Sequence, residues 1–197
     1  MSPTRRPLAA LLTVIVASLA WLAPSAATAQ GPAPATPPAL GDAAADFTLS
    51  RIDGKPITLS ALAKEGPVVM IMLRGWVGYQ CPICSRQMTG FMGQAQAFQA
   101  AGANVVLVYP GAADVVQQKA EDFVTGKTLP GRYHFVIDPD LKVVNLYGLR
   151  WDAPQETAYP STFVIDTAGI VRFAKTSRSH GDRSAAPDVL AVLQGLK

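Results

Sequence analysis

The sequence predicts an α/β domain with a central mixed β-sheet and helices on both faces, a three-layer sandwich. Three observations carry this prediction. The runs "PVVMIML" and "NVVLVYP" are continuously apolar, the pattern of strands whose two faces are both covered. Segments with apolar residues three and four apart lie between the strands, as parallel strands with helical crossovers require. The stretch "PSTFVIDTAGIVRFA" then reads as strand, turn and strand, which adds antiparallel pairing.

Taken in order, "DFTLSRIDGKPITLSAL" is two short extended segments around Asp53-Gly54, a strong hairpin signal, and makes an N-terminal β-hairpin extension. "PVVMIMLR" is the first buried strand. Residues 85–101 are expected as one helix with Met88, Phe91, Met92, Ala95 and Phe98 on a shared face; Gly90 and Gly93 weaken it and Gly102 ends it. "NVVLVYP" is a second strand, "AADVVQQKAEDFV" a helix and "RYHFVID" a third strand. "PDLKVVNLYG" suggests a turn and a short helix, and "RSAAPDVLAVLQGL" a closing helix.

This domain is expected to occupy residues 42–197. Residues 1–29 read as a secretory signal peptide: Arg5 and Arg6, an apolar stretch over residues 8–23, then Ala27-Thr28-Ala29 in the small-x-small form of a cleavage site. The arginine pair also loosely fits a twin-arginine signal. An uncleaved anchor is the alternative, but the apolar stretch falls short of the ~20 residues a spanning helix needs. Export to the periplasm or medium, without stable membrane insertion after cleavage, is therefore expected. Residues 30–41, rich in Pro and Ala, read as a tether. The whole chain has 17 basic and 14 acidic residues, a net charge of +3. Arg5 and Arg6 leave with the signal, so 15 basic residues face the same 14 acidic ones and the charge falls to +1. No polybasic block remains, and nucleic acid is not an expected partner.

The chemistry centres on "RGWVGYQCPICSRQ", which holds both cysteines of the chain, Cys81 and Cys84. A structural staple would close a loop of only four residues and remove roughly 2 kcal/mol of unfolded-state entropy. A structural zinc would need four ligands, and His134 and His180 lack the spacing to complete a site. A redox pair fits best. Cys81 would open a helix, where free N–H groups and the helix dipole favour a thiolate. Pro82 suits the first helical turn, and Cys84 lies one turn on.

C-P-I-C after a buried strand, with "YPSTFVID" about eighty residues later, resembles the thioredoxin fold. The opening "DFTLSRIDGKPITLSAL" and "STFVIDTAGIVRF" resemble its redoxin branch, the alkyl hydroperoxide reductase/thiol-specific antioxidant group that includes the peroxiredoxins. The resemblance implies that Cys81 is the attacking thiol, Cys84 the resolving thiol, and Pro160 a cis-proline facing them and turning the Tyr159 backbone toward substrate. A trans proline opening an edge strand is the plain alternative. The pattern also departs from the family. Gly78 and Arg74 stand where peroxiredoxins place Thr or Ser and Pro, and Pro160 stands where they carry an Arg. Gln80 replaces the Trp that thioredoxins usually place before the first cysteine. No carboxylate lies in the preceding strand, which leaves the proton acceptor for Cys84 unassigned.

Arg74 and Arg86 flank the pair and are candidates to stabilise the thiolate, Arg86 equally a solvated helix residue. Trp76, Tyr79 and Tyr159 are candidate substrate contacts, and Arg150 and Trp151 candidate cleft residues. The expected activity is exported thiol–disulfide exchange with a protein or small-molecule partner. Two alternatives stand beside it: a peroxidase that reduces hydroperoxides through a Cys81 sulfenic acid, and a non-catalytic binding domain with an inert disulfide. No metal, flavin or nucleotide cofactor is implied.

Overall fold

Alternate residues of the apolar run at 68–73 enter two different cores. Val69, Ile71 and Leu73 join one, and Val68, Met70 and Met72 the other, all fully buried. A strand whose two faces are both covered has no polar side, which is why its sequence shows no alternation. Each such side chain contributes about 1.5–3 kcal/mol by leaving water.

The computed structural model describes Met1 and residues 35–196; apart from Met1, the expected signal segment lies outside the described residues. The elements are β1 (Thr48–Arg51), β2 (Pro56–Thr58), α1 (Leu59–Glu65), β3 (Val68–Met72), α2 (Pro82–Met92), α3 (Ala95–Ala100), β4 (Asn104–Gly111), α4 (Val116–Val124), β5 (Tyr133–Pro139), α5 (Lys142–Leu146), β6 (Ser161–Ile165), β7 (Val171–Thr176) and α6 (Ala186–Gln194). The seven strands form one sheet in the order β2-β1-β5-β4-β3-β6-β7. β3, β4 and β5 are parallel, and the outer pairings are antiparallel. One face is covered by α2, α3, α4 and α6 through Met88, Phe98, Phe123 and Val189. The other is covered by α1 and α5 through Leu59, Leu62, Val143 and Val144. This is the expected mixed three-layer α/β sandwich with an N-terminal hairpin.

Three local expectations are corrected. Residues after β2 turn directly into α1, where extended chain was expected; Leu59, Leu62 and Ala63 bury one side of this short helix. The helix expected over residues 85–101 is two helices, broken at Gly93 and Gln94, and the first begins at Pro82. Phe91 and Phe98 stack across the break, ring centroids 5.5 Å apart, a contact worth about 0.5–1.5 kcal/mol beyond area burial. The helix expected from Ala112 begins only at Val116. Of the tether, residues 35–39 have no regular structure, and the Gly41 N–H donates to the Val171 carbonyl at 2.8 Å.

Candidate active site

The site forms at the C-terminal end of β3. From there residues 73–80 run to α2 beside β4, with the Leu73 N–H on Val108 O at 2.9 Å and the Trp76 N–H on Pro110 O at 3.0 Å. Gly75 has φ +72°, and a Cβ there would overlap the Pro110 carbonyl, so only glycine lets the loop lie this close. Gln80 is fixed on both ends of its amide: Tyr109 Oη donates to Oε1 at 2.7 Å, and Nε2 donates to Lys119 O at 2.8 Å. These bonds set the residue immediately before Cys81.

Cys81 is the N-cap of α2, with extended backbone angles, and Pro82 begins the helix. Its sulfur accepts the Cys84 N–H at 3.3 Å. Both cysteines are free thiols, 4% and 1% exposed. The Cys84 thiol donates to Cys81, which is the largest influence lowering the Cys81 pKa to about 5; burial opposes it, and the Cys84 and Ile83 N–H groups and the Arg183 charge assist. The same hydrogen bond, together with burial, pushes the Cys84 thiol well up. One thiol is thus held ionised and its neighbour protonated. A cavity of about 390 Å³, lined by Gln80, Pro82, Ser85, Asp122, Phe123 and Lys127, opens onto Cys81.

Arg183, from the segment between β7 and α6, brings Nη2 to 3.9 Å from Cys81 Sγ. Arg74, expected beside the thiolate, is committed elsewhere. Its guanidinium is buried, donating to Glu156 at 2.5 and 3.0 Å, to Gln155 O at 2.6 Å and to Tyr79 Oη at 2.7 Å. The reason is geometric: the planar fork meets the Glu156 carboxylate with two N–H donors, and its remaining contacts go to Gln155 O and Tyr79 Oη. What Arg74 offers the thiols is its backbone N–H, directed at Cys84. Arg86 is exposed on α2 and is not among the main influences on either thiol.

The AhpC/TSA family signature matches residues 40–174. The chain belongs to the AhpC/TSA family. It is 31% identical over 135 residues to the thiol-disulfide oxidoreductase ResA of Geobacillus thermodenitrificans, covering 68% of this chain and 67% of that protein. It is 24% identical to the methylamine utilization protein MauD of Methylobacillus flagellatus, of whose length it spans 56%. Among solved structures it is similar to the peroxidoxin BcpB of Mycobacterium tuberculosis, with TM-score 0.67, 26% identity, and coverage of 80% of this chain and 97% of that one. The protein is an oxidoreductase with a thioredoxin-like fold.

In this AhpC/TSA protein Pro160 departs from expectation. No cis peptide occurs among the described residues, so the Tyr159–Pro160 bond is trans. Pro160 precedes the first paired residue of β6, where a missing N–H breaks no ladder bond, and its carbonyl accepts the Ser177 N–H at 2.8 Å. The trans form is the lower-energy isomer, and nothing in this path demands the other. Pro160 is buried at the sheet end that carries Cys81, since Ser161 pairs with Met72.

Tyr159 is stacked on Trp151, centroids 4.8 Å apart and planes 12° apart, with the Arg178 guanidinium 4.9 Å from its ring centroid. Trp151 also lies 5.0 Å from the His180 ring, and His180 meets Glu156 at 2.8 Å. Arg150 holds this loop from within through the carbonyls of Trp151, Glu156 and Thr157. Tyr79 is 46% exposed, while Trp76 is half-buried beneath Lys119, whose ammonium is 4.7 Å from the ring. His134 sits in β5 beside Asn104, away from the thiols in the sheet. Sequence reasoning missed Arg183, Glu156 and His180. The one signal available was Pro160 standing where the family carries an Arg, which calls for a cation from elsewhere in the chain.

Proposed function

We propose that this redoxin is an exported thiol–disulfide oxidoreductase. The observation that carries the reading is the division of labour between adjacent thiols: Cys81 acidic at a helix N-terminus, Cys84 protonated one turn away and within reach of it. The Cys81 thiolate attacks one sulfur of a substrate disulfide. A new S–S bond forms, the substrate S–S bond breaks, and one substrate thiolate leaves with the electron pair. Cys84 then gives its proton to that thiolate or to water and attacks the Cys81 sulfur. The Cys81–Cys84 disulfide forms and the second substrate thiol departs, so the substrate gains the two electrons the pair loses. The export segment at residues 1–29 supports a periplasmic or secreted place of work.

A peroxidase is the second reading. Arg183 beside Cys81 and the likeness to a peroxidoxin favour it, whereas Gly78 brings no hydroxyl to polarise a peroxide O–O bond. Disulfide reduction and hydroperoxide consumption, followed side by side with one reductant, separate the two. The expected outcome is disulfide turnover that Cys81→Ser abolishes, with peroxide consumed slowly. Fast peroxide consumption with no disulfide turnover would reverse the assignment. Neither activity would leave a binding domain.

A further inference from the structure

Arg183 forms part of a second cavity, of about 340 Å³, between α2 and the start of α6. Ile83, Arg86, Gln87, Ser184 and Pro187 line it with Arg183. A guanidinium has five N–H donors. In Arg183, Nε donates to His180 O at 2.8 Å, Nη1 to Gln87 Oε1 at 2.9 Å, and Nη2 points at Cys81 Sγ at 3.9 Å. Among the described residues, one hydrogen on each terminal nitrogen is left without an acceptor and is available to a carboxylate oxygen.

Three further features suit an anion. Arg86 faces this cavity and takes part in none of the ion pairs among the described residues. Ser184 is 5% exposed, and its hydroxyl has no hydrogen-bond partner among the described residues. α6 opens here with no side-chain cap, its positive dipole end toward the cavity wall. Of the nearby acids, Asp182 is paired with Lys175 at 2.7 Å, and Asp188, in the first turn of α6, is exposed outside the lining. Ile83 and Pro187 supply apolar wall to the cavity.

We propose that this cavity receives the carboxylate of a small-molecule disulfide, so that the substrate class is carboxylate-bearing low-molecular-weight disulfides. The proposal rests on the thiol–disulfide reading above. It adds no new chemical step: Cys81 attacks the near sulfur while Arg183 and Arg86 hold the carboxylate a few bonds away.

The test uses 3,3′-dithiodipropionate and its dimethyl ester, which share a backbone and differ in charge. Their rates of oxidising the reduced protein are each divided by the rate with a simple free thiol. The acid should be favoured over the ester by about tenfold, the scale of local electrostatic enrichment. Arg86→Ala should remove most of that preference and Ser184→Ala part of it, with ester rates and the pH midpoint of Cys81 alkylation unchanged in both. Equal corrected rates for acid and ester in the wild type would overturn the proposal. So would a preference that survives both replacements. A wild type that reacts with neither disulfide overturns the thiol–disulfide reading itself, and this proposal with it.

Discussion

Cys84→Ala is expected to raise the pH midpoint of Cys81 alkylation from about 5 toward the free-thiol value of about 8.5. The hydrogen bond from the Cys84 thiol is the largest influence on Cys81, and alanine removes it. Cys84→Ser keeps a donor at the same position and should retain much of the depression. Arg183→Gln should raise the midpoint by less, since its charge ranks below the Cys84 hydrogen bonds. The sign is fixed by the reacting form: the thiolate is the nucleophile, so the rate falls as pH drops through the pKa. The midpoint is the quantity to read, because a more basic thiolate is also a better nucleophile and masks the change in a single-pH rate. Alkylation across pH 4–10 by a small reagent measures it. A midpoint that stays near 5 in Cys84→Ala would assign the acidity to Arg183 and the α2 N–H groups instead.

Glu156→Ala should destabilise the reduced protein by about 3–5 kcal/mol, because it leaves the buried Arg74 guanidinium without its carboxylate. Arg74 and Glu156 side chains are 3% and 9% exposed, so water cannot take the lost partner's place. The pair also ties residues 73–80 to residues 155–157, assisted by the Thr157 hydroxyl on the Arg74 carbonyl. Arg74→Met combined with Glu156→Leu removes both charges and should recover most of the loss. Urea unfolding midpoints at pH 7 measure all three. Burial alone would raise the Glu156 carboxyl, but hydrogen bonds from Arg74 and His180 and their charges hold it below the usual carboxylate range. A depressed acid stabilises the fold above its unfolded pKa of about 4.3 and loses that contribution as pH falls through the lower folded value. The wild-type advantage over Glu156→Ala should therefore shrink below pH 4.

The buried strands were legible because burial on both faces removes polar residues from the run, as in β3 and β4. The cysteine pair was legible because its two members lie one helical turn apart in sequence. α1 was not, since a helix of seven residues gives barely two turns of periodicity, and Leu59 and Leu62 follow a β-like "PIT" without a break. The Gly93 break was signalled, but glycine within an apolar periodic stretch does not say whether the helix bends or ends. Arg183 could not be read from its neighbourhood: "SRSHGDRS" looks like any solvated turn, and only the β6–β7 hairpin returns it to a sulfur 102 positions away. The Arg74–Glu156 pair spans 82 positions for the same reason. Arg74 lies near the thiols in sequence, which points it at them; in the fold, a carboxylate from a distant loop has its side chain.

The most direct test of the two-thiol account is the stoichiometry of thiol release when the reduced protein meets a small disulfide under single-turnover conditions. Cys81 attack followed by Cys84 resolution predicts two small thiols released per protein and a product two hydrogens lighter than the starting chain. Cys84→Ser should release one and retain the other half of the reagent on Cys81. A wild type that releases only one thiol and keeps a stable adduct would contradict the account, since Cys84 would then not resolve what Cys81 forms.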